Sequence, residues 1–191
     1  MVAPWKAASL GRVLGLAVTA FAASAALHAA EDFSERLPEY KIKAAYLYYF
    51  ATFVAWPEPP SSPDASAIVI GILGDDPFGD VLEDTVRDKK VGDRPIRIRR
   101  FESLKEARQS HILFVPASER DNLPGILSSL EGTSVLLVGE SPGFASNGGH
   151  IGFVTEAKKV RFEISLEAVK RSGLKMSAQL IKVGKVVEGG L

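Results

Sequence analysis

Residues 68–83 read IVIGILGDDPFGDVLE. The first six, Ile68 to Leu73, are uncharged and show no polar alternation, the pattern of a short strand buried on both faces. Asp76 before Pro77 then reads as a helix N-cap with proline at N1, opening a helix over 77–88. A strand buried on both sides that leads straight into a helix is half of a βαβ unit. It predicts a mostly parallel sheet covered by helices on both faces.

The next segments keep this rhythm. Ile96-Arg97-Ile98-Arg99 alternates behind Pro95, which suits an edge or the start of a strand. A short helix around 103–109, a strand at Ile112–Val115, a helix over 118–130 and a strand over 134–138 continue the alternation. The last third changes to a hairpin. His150 to Thr155 and Val160 to Ile164 flank Glu156-Ala157-Lys158-Lys159, with Val160, Phe162 and Ile164 on one face of the second strand. A helix over 166–172 carries Lys170 and Arg171 in its last turn and stops at Gly173. Residues 177–187 predict a final amphipathic helix.

On the other side of the opening stretch, PEPPSSPDAS (57–66) reads as a proline-rich linker. Before it, EYKIKAAYLYYFATFVAW (39–56) lacks Gly and Pro and predicts one helix. Ile42, Ala45, Tyr46, Tyr49 and Phe53 fall on one face, and Leu47, Phe50 and Val54 spread the apolar surface round most of the rest. Such a helix is expected to be largely buried. A partner-docking face with exposed tyrosines is the alternative.

Lys6 and Arg12, an uncharged apolar stretch of about 15 residues and the small-residue exit Ala29-Ala30 have the build of a secretory signal peptide. The apolar run is shorter than the ~20 residues of a spanning helix. Removal of residues 1–30, with their two basic groups, would leave 161 of the 191 residues, 21 basic and 23 acidic. The expected organisation is therefore a signal peptide over 1–30 and one α/β domain over 31–191. The fold class is a single three-layer Rossmann-like domain: a mostly parallel sheet, a C-terminal β-hairpin and flanking helices. A formal charge of −2 gives no reason to expect nucleic acid as a partner. The chain contains no cysteine, which excludes disulfides, thiol chemistry and thiolate metal sites.

Chemistry is suggested by two loops. GESPG (139–143) fits G-x-S-x-G, the nucleophile elbow of esterases. Its oxyanion hole would need the N–H of the residue after Ser141, and that residue is Pro142, which has none. An elbow also enters a helix and is followed by an acid and then a histidine. Here a glycine-rich loop follows, and residues 142–149 hold no carboxylate before His150. Glycines 139, 143, 148 and 149 match no phosphate-binding pattern. The second loop, GDDPFG (74–79), would lie with 139–147 at the carboxyl ends of parallel strands, placing Asp75 and Asp76 near Glu140 and Ser141. Such a carboxylate cluster could hold a cation, but no ligand spacing supports a metal site. His111 and His150 each begin a strand and are expected at the opposite end. No cofactor motif is present.

Five segments in order resemble the YfiR family: EYKIKAAYLYYFATFVAWP (39–57), GILGDDPFGDVLE (71–83), HILFVPASE (111–119), VGESPGFASNGGHIGFV (138–154) and KVRFEISLEAVKRSGLKMSAQLIKVGKVV (159–187). Family members often carry Asn where this chain has Tyr49, a charged residue near Thr52, and cysteines. The resemblance implies a periplasmic, non-enzymatic α/β domain that binds other proteins. It implies repression of an inner-membrane diguanylate cyclase through the enzyme's periplasmic sensor, lowering cyclic di-GMP and biofilm formation. It further implies relief of that repression by an OmpA-like outer-membrane lipoprotein. A homodimer is a further expectation. The alternative is a small-ligand-binding accessory protein for another membrane receptor, such as a histidine kinase. Loops 74–79 and 139–149 are the expected partner or ligand surface, with Asp75, Asp76, Phe78, Glu140, Ser141, Phe144 and Asn147 as candidates. Core packing is the alternative role for each phenylalanine.

Overall fold

The computed structural model describes residues 37–57 and 66–189. The chain divides into two compact units, Met1–Pro38 and Glu39–Leu191, and the sheet belongs to the second. The expected leader at 1–30 and most of the linker at 57–66 lie outside the described residues.

Strands β2 (Ile68–Leu73), β4 (Arg94–Phe101), β5 (Ile112–Val115), β6 (Leu136–Gly139) and β7 (Ile151–Glu156) run parallel in the spatial order β7-β6-β5-β2-β4. Antiparallel β8 (Lys159–Ser165) pairs with β7, β10 (Lys185–Val187) adds parallel to β8, and β3 (Lys90–Val91) pairs antiparallel with β4 at the other edge. Along β5, Ile112 and Phe114 face one side while Leu113 and Val115 face the other, so the sheet feeds two apolar cores. One core takes helix α1 (37–53), α2 (Val81–Val86), α5 (Leu166–Arg171) and α6 (Ala178–Val183). The opposite core takes α3 (Leu104–Ala107) and α4 (Leu123–Leu130), the latter entered through a 3-10 turn at Ala117–Asn122. This is the three-layer α/β arrangement expected from the sequence. Among the described residues no helix is long and apolar enough to cross a membrane.

Several local expectations are corrected. Asp76 does not cap a helix: its Oδ1 accepts the Phe78 N–H at 2.8 Å, closing a turn, and α2 starts only at Val81. The first helix ends at Phe53, because Val54–Ala55 form a two-residue strand, β1, against Lys175–Met176, β9. The face of α1 that enters the core is Tyr40, Lys43, Ala44, Leu47, Phe50 and Ala51, whereas Ile42 and Tyr49 are exposed. The amphipathic segment 177–187 is helical only to Val183. Past Gly184 the chain extends as β10, and a Cβ at that glycine would stand 2.5 Å from the Phe162 ring.

The β6–β7 connection, 140–150, joins parallel strands without a helix. A crossover of this kind ordinarily uses one to cover the sheet. Here Phe144, 1 % exposed, fills that place in the α3–α4 core. A Cβ at Gly139 or Gly149 would lie 2.3 or 2.2 Å from its ring, so both glycines are set by the phenylalanine and not by a ligand. Gly143 (φ +70°) lets the loop turn back over the strand.

Phe50 shows the weight of the α1 interface. It is fully buried, edge-on to Phe162 at 5.1 Å between centroids and stacked with Phe153 at 5.9 Å. Phe50→Ala is expected to lower the unfolding free energy by ~3–5 kcal/mol in urea titration. A loss below ~1 kcal/mol would contradict this placement.

Candidate functional site

The carboxyl ends of β2, β5 and β6 gather the loops 74–80, 116–122 and 140–149, and the start of α1 lies against them. Glu140, the first residue past β6, is the centre of this region. Its carboxylate receives the Lys43 ammonium at 2.6 Å, the Ala117 N–H at 3.1 Å and the Tyr40 hydroxyl at 3.2–3.3 Å. Lys43 also reaches Glu39 at 2.5 Å, one helical turn earlier. The Lys43 and Glu140 side chains are 6 % and 8 % exposed, so the pair lies inside the protein. Tyr40 continues inward, its ring edge-on to Phe78 at 5.2 Å, and Phe78 meets Phe114 of β5 at 4.8 Å.

The expected carboxylate cluster is thus assembled differently. Glu140 holds a cation, but the cation is Lys43. Asp76 holds one too: Arg100 of β4, whose Nε lies 2.7 Å from Oδ2 while its Nη1 lies 2.6 Å from Glu83. Among the described residues no group of three or more His, Cys, Asp or Glu side chains is placed to hold a metal ion. Phe78 and Phe144 are each 1 % exposed and belong to the two cores, so neither presents a ring to a partner. Asp75 and Asn147 are exposed. Asn147 stands apart from the others, lining a cavity of about 670 Å³ with Leu127, His150 and Arg171. Tyr40 and Lys43 carry the geometry of the region, and sequence reasoning missed both. The signal was a lysine in the same i, i+3, i+4 register as Ala44, Leu47, Phe50 and Ala51.

Ser141 is 3 % exposed, and its hydroxyl has no hydrogen-bond partner among the described residues. His150 cannot serve it. That residue precedes β7 at the opposite end of β6, where its Nδ1 accepts the Leu137 N–H at 2.9 Å and its Nε2 lies 2.6 Å from the Ser172 hydroxyl. His111 does the same work between β2 and β5, its Nδ1 accepting the Val69 N–H at 3.1 Å. Each histidine also donates its backbone N–H to the carbonyl of that same residue. Burial, reinforced by Arg171 for His150 and by Arg94 for His111, lowers both imidazole pKa values to about 4.

On the α3–α4 face, β2 and β5 form the topological switch point of the sheet, where open α/β folds take ligands. A crevice of about 550 Å³ opens there, lined by Leu73, Gly74, Glu102, Glu119 and Asp121 among others.

Two outcomes are expected from these groups. Removing one member of a buried ion pair strands the other charge, so Lys43→Met is expected to cost ~3–5 kcal/mol. Adding Glu140→Gln should recover most of that loss in urea titration; equal losses in the single and double variants would mean the pair is not buried. The histidines set the acid response. An imidazole at about 4 when folded and ~6.5 when unfolded binds fewer protons in the native state between those values. Its stabilisation is complete above pH ~6.5 and is lost as pH falls towards 4, up to ~3 kcal/mol for His150. His150→Asn, which keeps an acceptor for Leu137, should flatten the stability–pH slope in that window; an unchanged slope would contradict it.

A search of the curated proteins found no match. Among solved structures, the crystal structure of the ABC domain in complex with L-Trp from Streptococcus pneumonia is similar at 13 % identity and a TM-score of 0.47. The match covers 63 % of this chain and 55 % of that one, so this chain spans about half its length. The model of the family described as DUF4154: YfiR/HmsC-like matches residues 40–185. That match takes in nearly all of α1, every strand of the central sheet except β10, of which it reaches only Lys185, and all the loops around Glu140, and by it the chain belongs to the YfiR/HmsC-like family.

Proposed function

We propose that this chain is an exported regulatory domain. It binds the periplasmic region of an inner-membrane signalling protein, a diguanylate cyclase, and holds its cytoplasmic output low, so that cyclic di-GMP falls. Family membership over residues 40–185 carries this assignment. The loops that would have to house an active site support action by binding instead of turnover. Ser141 is enclosed and followed by a residue with no N–H to donate, while Asp76 and Glu140 are occupied by Arg100 and Lys43. Asp75 and Asn147, the exposed members of the candidate set, belong to the proposed contact surface. Homodimerisation and release by an OmpA-like outer-membrane lipoprotein are parts of the same proposal.

Repression of this kind requires only differential binding. The domain must hold the off state of the receptor more tightly than its on state. A ~100-fold preference corresponds to about 2.7 kcal/mol of coupling, within the reach of one modest interface. A second reading, a small-ligand-binding accessory protein for another receptor such as a histidine kinase, draws on the switch-point crevice. Its Glu102, Glu119 and Asp121 lining suits a cationic metabolite.

Deleting the gene is expected to raise cyclic di-GMP and surface attachment. Restoring the full chain should reverse both, and restoring it without residues 1–30 should not. Unchanged cyclic di-GMP on deletion would remove the cyclase assignment, and thermal stabilisation by a cationic metabolite would then favour the second reading.

A further inference from the structure

Strand β4 is an edge with only part of its length covered. It pairs with β2 along residues 96–101 on one side, but on the other β3 reaches only Arg94 and Pro95. The direction of the remaining backbone groups follows from two contacts. The Phe101 carbonyl accepts the Gly74 N–H at 2.9 Å, so odd-numbered residues of β4 bond towards β2. Arg94 is opposite Val91 across the two-residue turn Gly92-Asp93, so even-numbered residues face outward. The N–H and C=O groups of Ile98 and Arg100 therefore point away from the sheet. Among the described residues no backbone or side-chain group is bonded to them.

Beside this edge lies a cavity of about 680 Å³ whose apolar wall is Val86, Ile96 and Ile98. Its rim carries Lys89, Lys90 and Arg97. Lys89 rests 4.8 Å over the Tyr48 ring, and none of the three has a carboxylate partner among the described residues. Of the nearby acids, Glu83 is bound by Arg100 and Asp84 by Arg87, leaving Asp88 beside the groove and Asp93 in the turn before β4. An open strand edge with an apolar wall and a cationic rim has the parts of a strand-addition site: backbone groups supply the bonds, and the flanking side chains select the sequence. The charge also decides between occupants. A second copy of this edge would set like charges against each other, which is how natural edges avoid self-pairing.

We propose that the open edge of β4 and its cationic groove receive an extended, acidic segment of a partner protein, added as a further strand of the sheet. The proposal rests on the reading that the domain acts by binding another protein, and it adds to that reading a place on the fold and the chemistry of the partner. Binding of a synthetic peptide tests it apart from any deletion phenotype.

The probe is a fluorescent ten-residue peptide of alternating Glu and Val, titrated into the purified domain at low salt, with alternating Lys and Val as control. The acidic peptide should bind and the basic one should not. Arg97→Glu with Lys90→Glu should weaken binding at least tenfold. Ile98→Pro removes an outward N–H without touching the β2 ladder and should weaken it similarly. N-methylation of every second peptide residue tests strand pairing even if that variant folds poorly, and should abolish binding. Amide exchange at Ile98 and Arg100 should slow on complex formation. Binding that survives N-methylation would mean attraction by charge alone and would overturn strand addition. No binding of the acidic peptide, or binding only to vesicles containing anionic phosphatidylglycerol, would overturn the acidic-segment assignment as well.

Discussion

An ammonium group drawn into an apolar interior must bring a counter-charge with it, and α1 does so by delivering Lys43 to Glu140. Because the partner lies past the end of β6, the pair fixes both the rotation of α1 and its position along the sheet. Sliding the helix by one turn would carry the ammonium about 5 Å along the sheet and out of reach of Glu140. The far end is tied separately. Trp56 donates its indole N–H to the His111 carbonyl at 3.1 Å, and β1 pairs with β9. With both ends held, the aromatic stack between α1, β7 and β8 can close, and the carboxyl-end loops inherit their shape from it.

Much of this fold was legible because buried parallel strands announce themselves. Ile68–Leu73, Ile112–Val115 and Leu136–Val138 carry nothing polar, and each proved buried throughout. The misreadings share a cause: each depended on a partner far away in sequence. The face of α1 was misread because a lysine enters a core only with a counter-charge, and the carboxylate that permits the burial of Lys43 lies 97 positions away. Asp76-Pro77 carries a helix-start signal, but Arg100 and the Phe78 N–H use the aspartate otherwise. The end of α6 was invisible for the same reason. Gly184 lies against Phe162 and Ile164, and residues beyond it gain more by pairing with β8 than by another helical turn.

The candidate region shows how far composition reaches. The loops did gather at the carboxyl ends of the parallel strands, as the topology required. Which way each side chain faces was not readable, because exposure depends on what packs above the loop. Phe78 and Phe144 turned inward, and the acids met basic side chains from α1 and β4. The two histidines were placed at the other end of the sheet by their position before strands. Their role there, accepting a neighbouring strand's N–H, needed the register of the sheet to be seen.

Phe144 and the glycines around it give the 139–149 loop a different meaning from the one its composition suggests. A run with four glycines invites a search for a phosphate, yet Gly139 and Gly149 are the imprint of an aromatic ring, and Gly152 leaves room for the backbone of Ala145 behind it. The three positions are bound to this loop as a mould is to its cast. No single step along a mutational path can enlarge Gly139 or Gly149 while the phenylalanine stays. Nor can the ring shrink without opening a hole where a crossover helix would otherwise lie. Positions 139, 144 and 149 therefore form one steric unit that changes together or not at all, and it is packing, not chemistry, that couples them.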